Sequence, residues 1–226
     1  DPLEREDEIT VLDVGQGDAI CMNFGEEGVY MIDGGSSSRN TVGEDVIYPF
    51  LKSRGIDRID MWFLTHPDSD HVSAFLENET EMQIRVGQIC IPGVLWEEFK
   101  EIRQIADKNN VKVCVLFAGD VVQLEQWRIE VVSPCENVSY ADTNAASLVL
   151  SVSNGEFSAL MMGDAGIEAQ EAVFEKGIRE ITFLKVAHHG SAKDTNTREF
   201  LQTVSARIAV ISCARNNMYG HPHTET

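Results

Sequence analysis

The sequence predicts an α/β fold, two mixed sheets packed face to face with helices outside. Three observations predict it. Residues 8 to 35 read as three strands joined by glycine turns, so the chain opens as an antiparallel meander. Each half of the chain then puts strands first and helices between later strands, the order of mixed layered sheets. An apolar run, Met61 to Leu64, reads as a buried strand and ends in Thr65-His66-Pro67-Asp68-Ser69-Asp70-His71. A strand ending this way delivers its polar side chains to one point at a sheet edge.

Ile9, Val11 and Asp13 alternate with Thr10, Leu12 and Val14, and Gly15-Gln16-Gly17-Asp18 makes the first turn. Ala19 to Phe24 returns, Gly25 to Gly28 turns again, and Val29 to Asp33 is the third strand. Gly34 and Gly35 let backbone come close to whatever Asp33 faces. Glu44 to Gly55 has helical spacing, and Pro49 places the start near Tyr48 because proline is tolerated in a first turn. Gly55 is a natural stop. Pro67 ends the motif strand, and a helix is expected from about Asp70 to Glu79. Then follow a strand over Val86 to Ile91, an amphipathic helix over Trp96 to Lys108, and strands at Val111 to Phe117, Val121 to Leu124 and Trp127 to Val132. Ser147 to Val152 and Phe157 to Met162 form a hairpin across Asn154-Gly155. A helix over Gly166 to Lys176, a strand over Thr182 to Ala187, a helix over Thr197 to Val204 and a strand over Ile208 to Ser212 complete the chain.

The 226 residues suit one large domain or two small ones, and 43% apolar content is enough for a full core. No run approaches the ~20 apolar residues of a membrane-spanning helix. The charged opening reads as a linker over 1–8, followed by one domain over 9–226. With no initiator Met and no signal peptide, a fragment of a longer protein is expected. The net charge of −19, from 18 basic and 37 acidic residues, excludes a broad basic nucleic-acid surface. It leaves open a phosphodiester substrate, since bound cations can carry the local charge. Cys21, Cys90, Cys114, Cys135 and Cys213 have no zinc-ribbon spacing, and all but Cys135 sit in apolar runs and read as small core residues.

His66, Asp68, Asp70 and His71 fall within six residues and form a mixed N/O set suited to Zn²⁺, Mn²⁺ or Fe²⁺. A polar turn capping the next helix would use the carboxylates but leave both histidines unexplained. Asp164 follows the strand end at Met162 and is either a helix N-cap or a ligand; one oxygen can do each. Of His188 and His189, strand alternation through Leu184 and Val186 favours His188 facing the metal, with His189 starting the loop and contacting substrate.

His-x-Asp-x-Asp-His resembles the His-x-His-x-Asp-His signature of the metallo-β-lactamase superfamily, with Asp68 in place of the second His. Leu12-Asp13-Val14-Gly15-Gln16-Gly17-Asp18, Ile32-Asp33-Gly34-Gly35, Met162-Gly163-Asp164, Leu184 to Ser191 and Tyr219-Gly220-His221-Pro222-His223 resemble one branch. That branch is the extracellular domain of the DNA-uptake channel ComEC and its soluble relatives. The resemblance implies a four-layer αβ/βα sandwich with two divalent ions, Zn or Mn, bridged by Asp164. It gives one ion His66, Asp68 and Asp164, and the other Asp70, His71, Asp164 and one of His188 or His189. Asp70 and His189 are assigned to catalysis. No histidine lies between 72 and 187, where many relatives carry one; Asp142 or Asn144 can fill the gap, or Asp142 is a loop residue. Asn144 and Ser147 match the branch's Asn-x-x-Ser. Asp13 and Asp33 are expected near the site, with Asp33 accepting from His66 or His71. Gly190, Ser191 and His221 are candidates for phosphate contacts, or His221 is a turn residue.

Two ions about 3.5–4 Å apart can hold nucleophile and leaving oxygen together. The resemblance therefore implies a phosphodiester hydrolase, a nuclease acting on DNA, single strands foremost, in uptake during natural transformation. The parent protein would be membrane-embedded, with this domain at the extracellular face of the cell membrane. The alternatives are a non-catalytic DNA- or partner-binding module that keeps a metal for stability, or another superfamily hydrolase such as a phosphorylcholine esterase.

Overall fold

The computed structural model describes residues 7–78, 83–192 and 195–226. Most of the expected linker, and the end of the expected helix at Glu79, lie outside the described residues. The chain divides into two compact units, Asp1–Ile91 with Trp96–Val115, and Pro92–Leu95 with Leu116–Thr226.

The first unit carries the sheet β1-β2-β3-β4-β5-β6, formed by Glu8–Val11, Ile20–Asn23, Val29–Ile32, Arg58–Phe63, Arg85–Pro92 and Lys112–Leu116. β1, β2 and β3 form the antiparallel meander, and β3, β4 and β5 run parallel. A π-helical turn at Gly43–Ile47 leads into helix α1, Tyr48–Ser53, whose Pro49 sits in the first turn as expected. Gly55, at φ 68°, ends it. Helix α2, Ser69–Leu76, buries Val72, Ala74 and Phe75. Phe75 meets the indole of Trp62 edge-on at 5.6 Å.

Helix α3, Lys100–Lys108, starts four residues later than the amphipathic pattern predicts. Arg103 Nε donates to the Trp96 carbonyl at 3.1 Å, and Lys100 N reaches back three residues to Glu97 O. The preceding carbonyls are spent on turns, and the Arg103 guanidinium lies 3.9 Å from the Trp96 ring.

The second unit carries the sheet β12-β11-β10-β9-β8-β7. Its strands are β7 Val121–Gln123, β8 Arg128–Ser133, β9 Val149–Ser153, β10 Ser158–Met161, β11 Phe183–Lys185 and β12 Ile208–Val210. β7 to β10 are antiparallel, and β10, β11 and β12 parallel. The order repeats the first unit: a meander, then parallel strands with helices between them. At the β9–β10 turn, Asn154 Oδ1 accepts from Phe157 N, and Gly155 supplies φ 91°. Helices α4, Ile167–Glu175, and α5, Arg198–Val204, pack Ala169, Val173, Phe200 and Val204 into the core beneath Leu160 and Leu184. Thr197 caps α5 by accepting from Phe200 N. On α4, Ile167 is exposed and Gln170 is buried. Of the cysteines, Cys21 and Cys90 are core residues, whereas Cys114 and Cys213 are only partly buried. Among the described residues no helix is long and apolar enough to cross a membrane.

The turns that follow β1 and β3 meet the start of α2. Gly34 N donates to His71 O at 2.7 Å, Asp18 N to Asp70 O at 3.0 Å, and Gly35 N to Asp18 O at 3.0 Å. A Cβ on Gly35 would lie 2.4 Å from the backbone of Asp70 and His71, and one on Gly17 would lie 2.3 Å from Gly35 O. Only bare backbone fits this contact. Gly35→Ala should therefore lower unfolding stability by about 1–3 kcal/mol, the cost of forced overpacking. Urea titration checks it, and an unshifted midpoint would contradict the close approach.

Candidate functional site

In the first unit the site is built around Asp33. This residue takes φ 54°, unusual for a side chain with a Cβ. Trp62 Nε1 pins its carbonyl at 3.0 Å. Its buried carboxylate accepts from Thr65 N at 2.7 Å, from Thr65 Oγ1 at 2.8 Å, and from His71 Nδ1 at 2.8 Å. Burial pushes the Asp33 carboxyl up, against the pull of His71 and Thr65. The Thr65 hydroxyl spends its one proton on Asp33, so its lone pair receives His66 Nδ1–H at 3.1 Å. His66 and His71 thus both place Nδ1–H on an acceptor and leave Nε2 as the ring nitrogen turned away from it. Both rings are buried, with centroids 4.1 Å apart. Asp33 orients His71 directly and His66 through Thr65, which resolves the two possibilities the sequence left open.

Asp68 is the N-cap residue of α2, but its side chain makes no capping bond. Its Oδ2 lies 3.9 Å from His66 Nε2. The helix-cap alternative for this turn therefore leaves the carboxylate where an ion ligand would be. Asp70 is half-buried in the first turn of α2.

Asp13 is a correction. It is exposed, and its Oδ1 accepts from Gly15 N within the turn. The acidic residue in this region that reaches the histidines is Asp18, which the sequence reading passed over. Asp18 is buried, and ligand atoms of Asp18, Asp33 and His71 lie within 4.8 Å of one another. The available signal was its place directly after Gly15-Gln16-Gly17, where the turn re-enters the sheet.

In the second unit, Asp164 lies between β10 and α4 and is only 3% exposed. The N-cap residue of α4 is Gly166, so Asp164 lies two residues ahead of the cap position. His188 Nε2 and His189 Nε2 approach Asp164 Oδ2 at 3.6 and 3.7 Å. The alternation argument that favoured His188 does not apply. β11 ends at Lys185, and His188 and His189 take φ 48° and 53° in a tight turn. Successive left-handed residues let both rings turn toward the same carboxylate. His189 is 2% exposed, and its Nδ1 lies 2.9 Å from the Ser212 carbonyl oxygen. A carbonyl only accepts, so His189 also has Nδ1–H and turns Nε2 toward Asp164.

A cavity of about 380 Å³ is lined by Asp142, Asn144, Asp164, His188 and Thr195 among others. Asp142 Oδ1 caps its own turn, accepting from Ala145 N at 2.9 Å, as a loop residue does. Ser147 is fully buried, and its N donates to Asn144 O. Ser191 is buried, with its N on His188 O. The His221 ring lies 5.8 Å from His188 and 6.2 Å from His189. Burial and the neighbouring imidazoles push its pKa down to about 4, so it is neutral at pH 7.

The model of the metallo-beta-lactamase superfamily matches residues 12–77. The fold resembles the metallo-beta-lactamase fold protein YhfI from Bacillus subtilis, with TM-score 0.58, 12% identity, 92% of this chain and 78% of that one covered. It also resembles a diphosphatase of the PhnP family, with TM-score 0.54, 12% identity, and 86% and 71% covered. Residues 12–77 thus match the metallo-β-lactamase superfamily, and the fold is the α/β sandwich of that superfamily.

Within it, the chain is ComEC-like. It is 33% identical over 240 residues to ComE operon protein 3 of Bacillus subtilis (strain 168), covering 98% of this chain and 30% of that protein. It is 30% identical to Recombination protein 2 of Haemophilus influenzae, covering 96% and 25%, and 30% identical to competence protein ComA of Neisseria gonorrhoeae, covering 97% and 29%. The chain thus spans under a third of the length of these relatives. The fold implies divalent-metal binding, and the donors present fit it: three histidines held through Nδ1, with Nε2 turned to the site beside carboxylates.

Asp33→Ala would leave Thr65 N, Thr65 Oγ1 and His71 Nδ1 without their buried acceptor. At about 1–3 kcal/mol per stranded group, the loss should be about 3 kcal/mol or more. Urea denaturation of the metal-free protein checks it; a change under about 1 kcal/mol would show that the network is not structural.

Proposed function

We propose that this chain is a metal-dependent phosphodiester hydrolase acting on DNA, with single strands as substrate, and that it serves DNA uptake in natural transformation. The observation that carries this reading is the shared tautomer of His66, His71 and His189, each with Nδ1 tied back and Nε2 presented. We read two donor sets for two divalent ions, Zn or Mn: His66, Asp68, Asp70 and His71 in one unit, and Asp164 with His189 and His188 in the other. When bound, such ions supply Lewis acidity to a phosphoryl oxygen and a nucleophile at neutral pH. The chain's own residues do the rest. Asp33, Thr65 and the Ser212 carbonyl hold the three Nδ1 atoms and so aim the Nε2 atoms as donors. Asp70, half-buried at the start of α2, is assigned as proton acceptor. Asn144, beside Asp164 and His188 in the cavity, and His221 are assigned to substrate contact. Similarity to a competence protein supports DNA as the substrate; the membrane-embedded parent protein and the extracellular face of the cell membrane follow from the motif resemblance alone.

The decisive experiment incubates the protein with single- and double-stranded DNA in Mn²⁺ or Zn²⁺. Metal-dependent shortening of the single strand supports the reading. Intact DNA alongside turnover of a small phosphate ester would favour another hydrolase of the superfamily. Asp164→Ala should abolish cleavage and remove the ion of its own donor set, about half of the bound metal, while circular dichroism stays native, because both neighbouring imidazoles turn to this carboxylate. Metal content at the wild-type level, by elemental analysis, would refute that role.

His189→Ala should lower metal occupancy more than His188→Ala. His189 is buried and its ring is fixed by Ser212, whereas His188 is partly exposed. Removing an oriented ligand costs more than removing a loosely held one. Elemental analysis of both variants decides the order.

A further inference from the structure

The geometry points to Tyr219 as a stacking platform for a nucleobase of the strand beside the Asp164–His188–His189 group, assisted by Arg215; this rests on the DNA substrate proposed above. Tyr219 stacks on His221 with ring centroids 5.5 Å apart and planes inclined by 21°. His221 in turn lies 5.8 Å from His188. Yet Tyr219 remains 54% exposed, and its neighbour Met218 is 88% exposed. One side of the phenol is committed to the imidazole, while much of the ring remains open to solvent.

The loop that presents it is held firmly. Asn217 Nδ2 donates to Ala214 O at 2.8 Å and to His221 O at 2.7 Å. Asn217 Oδ1 accepts from Tyr219 N at 3.1 Å and His221 N at 2.9 Å. One amide uses both donors and both acceptor sites to fix the chain on either side of Tyr219. Gly220, at φ 73°, makes the turn that returns the backbone to His221. An exposed aromatic on a floppy loop would lose entropy on binding; this one is ordered beforehand.

Charge selects the occupant. A chain at −19 gains little from phosphate neutralisation, the term that dominates most DNA binding. Base–aromatic stacking is independent of that charge and tolerant of sequence. The same exposed loop carries Arg215, a cation that can pair with a phosphate or stack. A base is available to Tyr219 only when unpaired, so the platform selects single strands.

The test measures binding of a labelled, hydrolysis-resistant phosphorothioate single strand by fluorescence anisotropy in Mn²⁺, for wild type, Tyr219→Ala and Tyr219→Phe. A strand of equal length made of abasic residues serves as the second probe. Tyr219→Ala should bind the base-bearing strand about tenfold more weakly, equivalent to about 1.4 kcal/mol, and Tyr219→Phe should restore affinity. Affinity for the abasic strand should be equal in all three. The inference is overturned if Tyr219→Ala binds the base-bearing strand like wild type, if it loses the abasic strand by the same factor, or if wild type binds neither probe. Cleavage of an unmodified strand, followed in parallel, separates the two readings. Stacking-dependent affinity without cleavage sinks the hydrolase and keeps the platform. Cleavage with affinity indifferent to Tyr219 does the reverse.

Discussion

The buried carboxylate of Asp33 is the constraint on which the first unit's site depends. It joins the end of β3, the residue after the strand β4 region, and the first turn of α2 through three hydrogen bonds. An ionised carboxyl is costly to bury, and here its acceptor sites are filled by donors that also need burial. The same bonds set the protonation pattern of two histidines. Structure and chemistry are therefore fixed by one group: the contact that closes the loop onto the sheet also decides which imidazole nitrogen is presented. Trp62 adds a second hold through the Asp33 carbonyl, and the strained φ of Asp33 persists because both ends of the residue are tied.

The second unit reaches an equivalent result by different means. A backbone carbonyl, that of Ser212 beyond β12, holds His189 Nδ1. The left-handed turn at His188 and His189 takes the place of a strand continuing through them. Both units thus rely on irregular backbone just past a parallel strand, the place where α/β sheets commonly put chemistry. Regular strands hold these turns in register, and the turns aim the side chains.

Charge shapes what such a protein can do with DNA. With 37 acidic residues against 18 basic ones, the chain has no long-range attraction for a polyanion. Recognition must then be local and short-range, through bound cations and ring faces. A rigid loop with one open aromatic ring and one arginine is the kind of feature such a surface would need.

Much of this was legible in the sequence, because the signals were local. Alternation and glycine turns marked the opening meander, Asn154-Gly155 marked the hairpin, and the dense run from His66 to His71 could hardly serve anything but ligands or a cap. The order of motifs carried the superfamily. What the sequence could not supply were contacts across distance and departures from regular backbone. The place of Asp18 after Gly15-Gln16-Gly17 hinted at its return to the sheet, but only the fold buries it beside His71 and leaves Asp13 in a solvent-facing turn. Alternation assumed that the strand ran through His188, and the left-handed turn after Lys185 removed that premise. Thr65 and the Ser212 carbonyl became visible as tautomer-fixing partners only in three dimensions, because a hydroxyl or a carbonyl is marked by its neighbours in space rather than by its neighbours in the chain. The sequence determined which donors are present and on which elements they lie; the tertiary structure decided which nitrogen each histidine offers, since that depends on who holds its proton.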